Sequence, residues 1–449
     1  MKATRFLLAL PLLCTVAWAA PADDLVLPEE VFPQLKAILD AAVKQSPRMV
    51  NRSLDLEVAE NLRIAGRSGL LPSVGGYANY YEARDKRADL ADRLDVTKIA
   101  YNFSVTQPIF HWGERRNNAR ISEIQQKITQ GQYRDGYRLL AQELRAAYLR
   151  LIVQKVAVKR AKFNAELAVS QLKLQEERLQ QKVISGAEVV LARTNAELAQ
   201  LSVERMEFDY ENAKSSLSRL SGTPFLADDA IPTTIPEMAY PAPAYDALLA
   251  GFLGQKDPVT TEAVTLRKTL EIEELNYANQ KTRLRPKLSA VVGVSQDEQS
   301  YTLNTAQKYR VNSIYGGVSV SWAIFDGFAS GAAVRNSFIR RRQLENDYRQ
   351  LTERLSLDAQ NQVKLINFSA RNMSIYDRYL TSGKGGFEST QQEFKRGTKS
   401  EADVNAAQLA LYDAEINAYN TRIDFLAKNG DFLGMVMEDP VLANIADAK

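Results

Sequence analysis

The sequence of 449 residues carries 57 basic and 54 acidic residues, a single histidine and a single cysteine. A net charge of +3 gives no reason to expect nucleic acid as a partner, and one histidine argues against a histidine metal site or a catalytic triad within one chain. No Gly-x-Ser-x-Gly elbow is present, so an enzyme is disfavoured and no cofactor is expected.

The N-terminus reads as an export signal. Lys2 and Arg5 precede an apolar run from Phe6 to Ala17, and Ala17-Trp18-Ala19 supplies the small residues of a cleavage site after Ala19. Cys14 lies inside residues 1–19 and follows Leu13 rather than a small residue, so the mature chain is expected to hold neither a thiol nor a lipid anchor. Beyond the signal no apolar run reaches the roughly 20 residues of a spanning helix. An exported chain of that kind is either periplasmic or crosses the outer membrane as a barrel.

From residue 20 onward the chain predicts a helix over 35–67, strands over about 73–84 and 98–110, and a long proline-free helix from Glu114 to about Lys182. A break and a second helix complete a first repeat ending at 222. Residues 223–256, with Pro224, Pro232, Pro236, Pro241 and Pro243, read as a linker. The same order follows over 257–437: a helix over 258–284, strands over about 287–298 and 311–325, a proline-free helix from Phe328 to about Lys395, a break and a last helix, with 438–449 as a tail. Gly383-Lys384-Gly385-Gly386 lacks the spacing of a phosphate loop and predicts a local interruption of its helix.

The two halves match at nearly constant spacing. Gly69–Val74 aligns with Arg283–Leu288, Ser104–Phe110 with Ser319–Phe325, and Ser185–Val189 with Ser400–Val404, at offsets of 214 or 215. Three weak matches in order indicate a tandem duplication.

Within the strands, Ile99, Tyr101, Phe103, Val105 and Ile109 alternate with Ala100, Asn102, Ser104 and Thr106. Ile314, Val318, Val320, Trp322 and Ile324 alternate with Ser313, Gly317, Ser319 and Ser321. Such a pattern fits a transmembrane barrel strand or a half-buried strand of a soluble sheet. The long helices carry stripes such as Leu144, Tyr148, Leu151 and Leu344, Tyr348, Leu351, Leu355, which read as coiled-coil-like packing. A simple coiled coil leaves unexplained why strand pairs precede each long helix. Four strands are too few to close a barrel in lipid, so several copies must share one; three copies give twelve strands.

The strand-to-helix junctions Thr106-Gln107-Pro108-Ile109-Phe110-His111-Trp112-Gly113 and Ser321-Trp322-Ala323-Ile324-Phe325-Asp326-Gly327, with the break Phe394–Val404, resemble those of the TolC-like outer-membrane efflux family. The resemblance implies an α+β membrane protein. It would be a homotrimer whose twelve-stranded barrel sits in outer-membrane lipid and continues into a long periplasmic α-helical barrel. The tip would meet a periplasmic adaptor protein and an inner-membrane pump, and the channel would be a passive exit duct for tripartite efflux or type I secretion. The competing reading is a periplasmic coiled-coil scaffold without transport activity.

Both breaks read as capping boxes, Ser185-x-x-Glu188 and Ser400-x-x-Asp403. The resemblance adds a gate: Asp403 as the carboxylate of a ring at the constricted entrance, with Lys399 and the first-repeat carboxylate Glu188 tying the helix pairs shut. Phe394 stands where the family carries a hydroxyl-bearing aromatic, Ala406 where some members carry a second acid, and Lys399 lacks the bidentate reach of arginine. A loosely latched entrance follows as an expectation. Lys182, Ser185, Gly397 and Ser400 fall at the adaptor-contact tip by the same resemblance. Trp112 and Trp322 fit either interfacial anchors or packing of the bulged turn.

Overall fold

In a computed structural model the described residues are 25–86, 94–300 and 308–445. The expected signal at 1–19 and the last residues of the tail lie outside them.

Prolines punctuate the N-terminal helices. Helices α1 (Pro28–Val31), α2 (Pro33–Gln45) and α3 (Pro47–Ser68) each begin on a proline, where the missing N–H is no loss. Pro47 holds Ser46 in extended backbone, which splits the single helix expected over 35–67 into two. Ser46 then donates its hydroxyl to the Leu220 carbonyl, 2.8 Å away.

Strands β1 (Ser73–Asp85) and β2 (Leu94–Phe110) lead into α4 (Glu114–Gln180), followed by α5 (Gly186–Ser221). The proline-rich stretch is not all linker: it contains α6 (Ala242–Leu253), which puts Tyr245, Leu248 and Phe252 into the core. Helix α7 (Thr261–Lys281), strands β3 (Lys287–Ser300) and β4 (Lys308–Ser321), and helices α8 (Ala329–Lys395) and α9 (Glu401–Val436) complete the chain. Helices α4 and α8 have 67 residues each, so each is about 100 Å long at about 1.5 Å per residue. Helices α5 and α9 have 36 residues each.

The backbone recurs at a constant offset. Glu114 and Ala329, which start the long helices, are 215 positions apart. The positive-φ residues pair at that same offset: Trp112 with Gly327, Gly113 with Phe328, Lys182 with Gly397, and Gly222 with Met437. Side-chain contacts follow suit, with Gln107 donating to the Leu70 carbonyl at 3.1 Å and Trp322 donating to the Leu284 carbonyl at 2.9 Å.

Helix α8 runs unbroken through Gly383–Gly386, correcting the interruption expected there. A Cβ on Gly383 would lie 3.6 Å from the Ala414 Cβ, so the glycine permits α9 to lie close alongside. That packing outweighs the roughly 1 kcal/mol each glycine costs a helix.

The main core sits midway along the long helices. Tyr137, Leu140, Leu144, Tyr148, Leu151 and Ile152 of α4 share one buried core with residues of α2, α6 and α9. Tyr137 donates to the Leu39 carbonyl at 3.0 Å, and Tyr148 to Gln34 Oε1 at 2.9 Å, so both phenols bury their rings with the hydroxyl satisfied. The chain ends are fastened here too. Buried Arg145 bridges Glu29 (Nε to Oε2, 2.8 Å) and Asp439 (Nη1 to Oδ2, 2.7 Å).

The four strands form one antiparallel sheet in the order β1-β2-β3-β4, with β2 and β3 joining the halves. Its register puts Val74, Tyr80, Ile99, Phe103, Val105, Val292, Val294, Ile314, Val318 and Val320 on one face. Ser73, Tyr77, Asn102, Ser104, Gly293, Ser295, Tyr315 and Ser319 share the other. A register shift between Pro108 and Phe110 makes Ile109 the extra residue, so Phe110 rather than Ile109 pairs with Leu288 on the apolar face. Strand β4 stops at Ser321, so Trp322 and Ile324 lie beyond it rather than within it. Tyr315 reaches over Gly293 to hydrogen-bond Asn102, 3.1 Å away, because β3 offers no side chain in between.

Candidate functional site

The far end of the long helices is built twice from the same backbone device. Helix α4 stops as Lys182 takes φ +57, with the Val183 N–H reaching back to the Arg178 carbonyl at 3.0 Å. Helix α8 stops as Gly397 takes φ +78, with the Thr398 N–H on the Glu393 carbonyl at 3.0 Å. This closing bond over five residues satisfies carbonyls that the helix leaves open. The chain then extends into Ser185 and Ser400 and starts the return helices.

Both carboxylates face their own caps. Asp403 accepts from the Ser400 N–H at 2.9 Å and hydroxyl at 2.7 Å, while the Asp403 N–H donates to Ser400 Oγ at 3.3 Å. Glu188 accepts from the Ser185 N–H at 3.3 Å and hydroxyl at 3.1 Å. Among the described residues no ion pair joins Lys399 to Glu188, whose carboxylate is taken up by its own cap. A groove of about 970 Å³ between the two hairpins brings Glu188, Leu191 and Asn195 of α5 together with Glu401, Asn405 and Ala406 of α9. Phe394 is exposed on the last turn of α8.

The Ser400 N–H and hydroxyl, with a smaller contribution from Lys399, hold the Asp403 carboxyl below its ordinary pKa. A depressed carboxyl pKa stabilises the folded tip above the ordinary carboxylate range, and the contribution is lost as pH falls through the folded value. Amide protection in the first turn of α9, corrected for intrinsic exchange, is therefore expected to fall below about pH 4. It should stay flat across that range in Asp403→Asn, and a parallel decline in the variant would refute the assignment. Ser400→Ala removes the reciprocal cap at a cost of about 1 kcal/mol.

At the other end of α4 and α8, two consecutive left-handed residues turn each strand into its helix: Trp112-Gly113 and Gly327-Phe328. Trp112 donates its indole N–H to the Pro286 carbonyl at 2.8 Å and lies edge-on to Phe110, with ring centroids 4.8 Å apart. The Arg285 guanidinium sits 4.6 Å from the Trp112 ring centre. Trp322 keeps its ring exposed while its N–H is satisfied by Leu284. Each indole thus has its polar tip anchored to a backbone carbonyl, with the Trp322 ring open and the Trp112 ring packed against Phe110 and Arg285.

Residues 38–223 match the family described as "Outer membrane efflux protein". Over that stretch the chain is similar to the outer-membrane efflux family. The chain is 21% identical over 428 residues to the alkaline protease secretion protein AprF of Pseudomonas aeruginosa, covering 92% of this chain and 86% of that one. It is 20% identical over 424 residues to the outer membrane protein TolC of Salmonella enteritidis, covering 91% and 83%. Among solved structures it resembles the CmeC outer membrane channel of Campylobacter jejuni, with a TM-score of 0.67, 15% identity and coverage of 90% and 85%. At that identity the likeness establishes the fold. The protein belongs to the outer membrane.

Sequence reasoning brought Glu188, Lys399, Asp403 and their caps to one end of the chain's fold but missed two buried ion-pair clusters. Arg145 and its two acids are spread across nearly the full chain, with no periodic signal linking them. Buried Arg422 and Asp377, with Nη2 and Oδ1 2.7 Å apart, are likewise remote in sequence. The bulge at Ile109 carries a signal in Pro108, which has no N–H to give the ladder.

Proposed function

We propose that three copies of this chain close a twelve-stranded barrel in the outer membrane, continuous with a helical tunnel through the periplasm, and that the trimer is a passive exit duct. The observation that carries this reading is the sheet. Its apolar face lies open in the single protomer, with Val74 77% and Ile314 87% exposed, and β1 and β4 have no further partner among the described residues. Unpaired strand edges are untenable in lipid, and a sheet apolar outside and polar inside is the pattern of a spanning barrel. Among the described residues no helix is long and apolar enough to cross a membrane, which leaves the crossing to the strands.

In this reading the repeats 20–222 and 257–437 flank an equatorial segment at 223–256. The tip around Lys182, Ser185, Gly397 and Ser400 meets a periplasmic adaptor and, through it, an inner-membrane pump. Asp403, Lys399, Glu188 and Phe394 form the periplasmic gate, and Trp112 and Trp322 lie at the membrane interface. Because the protomer holds no Lys399–Glu188 pair, the latch is a contact between neighbouring copies. Resemblance to AprF, whose name gives alkaline protease secretion, makes type I secretion one candidate route beside tripartite efflux.

Planar-bilayer recording of the detergent-extracted protein tests the reading. Purified protein should run as a heat-dissociable trimer and open water-filled pores, with Lys399→Ala conducting more than wild type. A monodisperse single copy that stays in solution without detergent and opens no pores would instead indicate a periplasmic scaffold. Pores unaltered by Lys399→Ala would remove the latch alone.

A further inference from the structure

Where each strand pair gives way to its long helix, the described side chains are unevenly charged. Arg67, Arg115, Arg116, Lys281, Arg283, Arg285 and Lys287 cluster at the turns into β1 and β3 and at the start of α4. Of the described acids, Glu114 pairs with Lys287, Asp326 lies 3.8 Å from Arg283, and Glu60 acts on Arg67. Arg285 is given over to the Trp112 ring. Arg115 and Arg116 are exposed and make no ion pair among the described residues.

Those two free guanidiniums border a groove of about 440 Å³ whose other walls are apolar: Leu70, Pro108, Ile109 and Phe110. His111, whose shielded Nδ1 has no partner, completes the lining. Ile109 and Phe110 both leave a large fraction of their surface open. One wall therefore suits an acyl chain and the other a phosphate. Arginine offers a planar fork of donors matched to phosphate oxygens.

We propose that this groove binds an anionic phospholipid of the leaflet facing the periplasm, its phosphate held by Arg115 and Arg116 and its upper acyl chain laid along Leu70, Ile109 and Phe110. The proposal rests on the reading that the sheet spans the outer membrane with its helices on the periplasmic side. Charge complementarity selects the occupant: a zwitterionic headgroup would leave the surplus of cations unanswered. The site is then a fixed lipid seat that sets the depth of the barrel, with Trp112 and Trp322 supplying less specific anchoring.

Native mass spectrometry of the detergent-released trimer tests this, with phosphatidylglycerol and phosphatidylcholine offered in equal amounts. Wild type should retain phosphatidylglycerol preferentially. Arg115→Gln/Arg116→Gln should lose that preference by on the order of twentyfold, since each basic residue near an anionic surface contributes about fivefold. Arg115→Lys/Arg116→Lys, which keeps the charge and guards against a folding defect, should retain most of it. Equal retention of the two lipids by wild type, or an unchanged preference in the glutamine variant, would overturn the proposal. Inorganic phosphate added in excess should not displace the lipid; displacement would show a site for free phosphate and overturn it too. If the protein is released as a trimer and opens pores yet shows no headgroup preference, this inference alone fails. If it neither trimerises nor inserts, the barrel reading fails with it.

Discussion

Arg145→Met is expected to destabilise the folded protein by about 3–5 kcal/mol, because it strands two carboxylates in the core. Asp439 has a fully buried side chain, and Glu29 is close to buried. Burial is the largest influence on Arg145 and disfavours its charge. Hydrogen bonds and attraction from Asp439 and Glu29 outweigh it and hold the guanidinium's pKa above its ordinary value. The arginine therefore stays charged throughout the accessible range, and its loss is uncompensated at any pH where the acids are ionised. The pair need not add much over a neutral core, since desolvation offsets most of the attraction. Arg145→Met/Glu29→Gln/Asp439→Asn should accordingly recover most of what the single variant loses. Urea unfolding of the detergent-solubilised protein, compared at matched concentration, measures both. A single variant within about 0.5 kcal/mol of wild type would show that the cluster is solvated. A triple variant no better than the single would show that the charges contribute by attraction rather than by mutual relief.

Gly222→Ala should be nearly as damaging, at about 3–4 kcal/mol. Gly222 ends α5 with φ +74, a conformation that costs a residue bearing a Cβ about 1–2 kcal/mol. The added Cβ would also fall 2.1 Å from the Gln45 carbonyl oxygen and 2.5 Å from its carbon. These are backbone atoms at the α2–α3 junction, held by the Ser46–Leu220 hydrogen bond, so they cannot swing aside. Relieving such an overlap adds roughly 1–3 kcal/mol. Gly113→Ala is the control: φ is +84, but no atom lies within 4 Å of the new Cβ, so only the conformational cost of about 1–2 kcal/mol applies. Equal losses for the two variants, measured by thermal unfolding, would refute the close approach. Position 437, which aligns with 222, tolerates Met at φ +63, which shows that the left-handed backbone alone does not demand glycine there.

Much of the architecture was legible because it depends on local periodicity. The strands expected over 73–84 and 287–298 fall within two residues of the observed ends of β1 and β3, and freedom from proline marked the extent of α4 and α8. Ser-x-x-Glu and Ser-x-x-Asp located both helix breaks, since a cap acts over three residues and needs no distant partner. The glycine cluster at 383–386 misled for the complementary reason. Propensity speaks of an isolated helix, whereas α9 lying against Gly383 keeps this one continuous. Likewise Pro47 broke a helix that periodicity alone ran straight through.

What the sequence determined by itself is therefore the set of elements, their order, the two-sided character of the strands and the chemistry available at the tip. Those features arise from interactions within a few residues, and their signals survive in a linear reading. The tertiary structure alone decided that Arg145 gathers both ends of the chain, that Asp403 and Glu188 face their own caps rather than Lys399, and that free arginines border an apolar groove beside the sheet. Each of those joins residues far apart along the chain. Such a contact is selected by the free energy of burying and pairing groups in three dimensions, which leaves no period and no fixed spacing to be read beforehand.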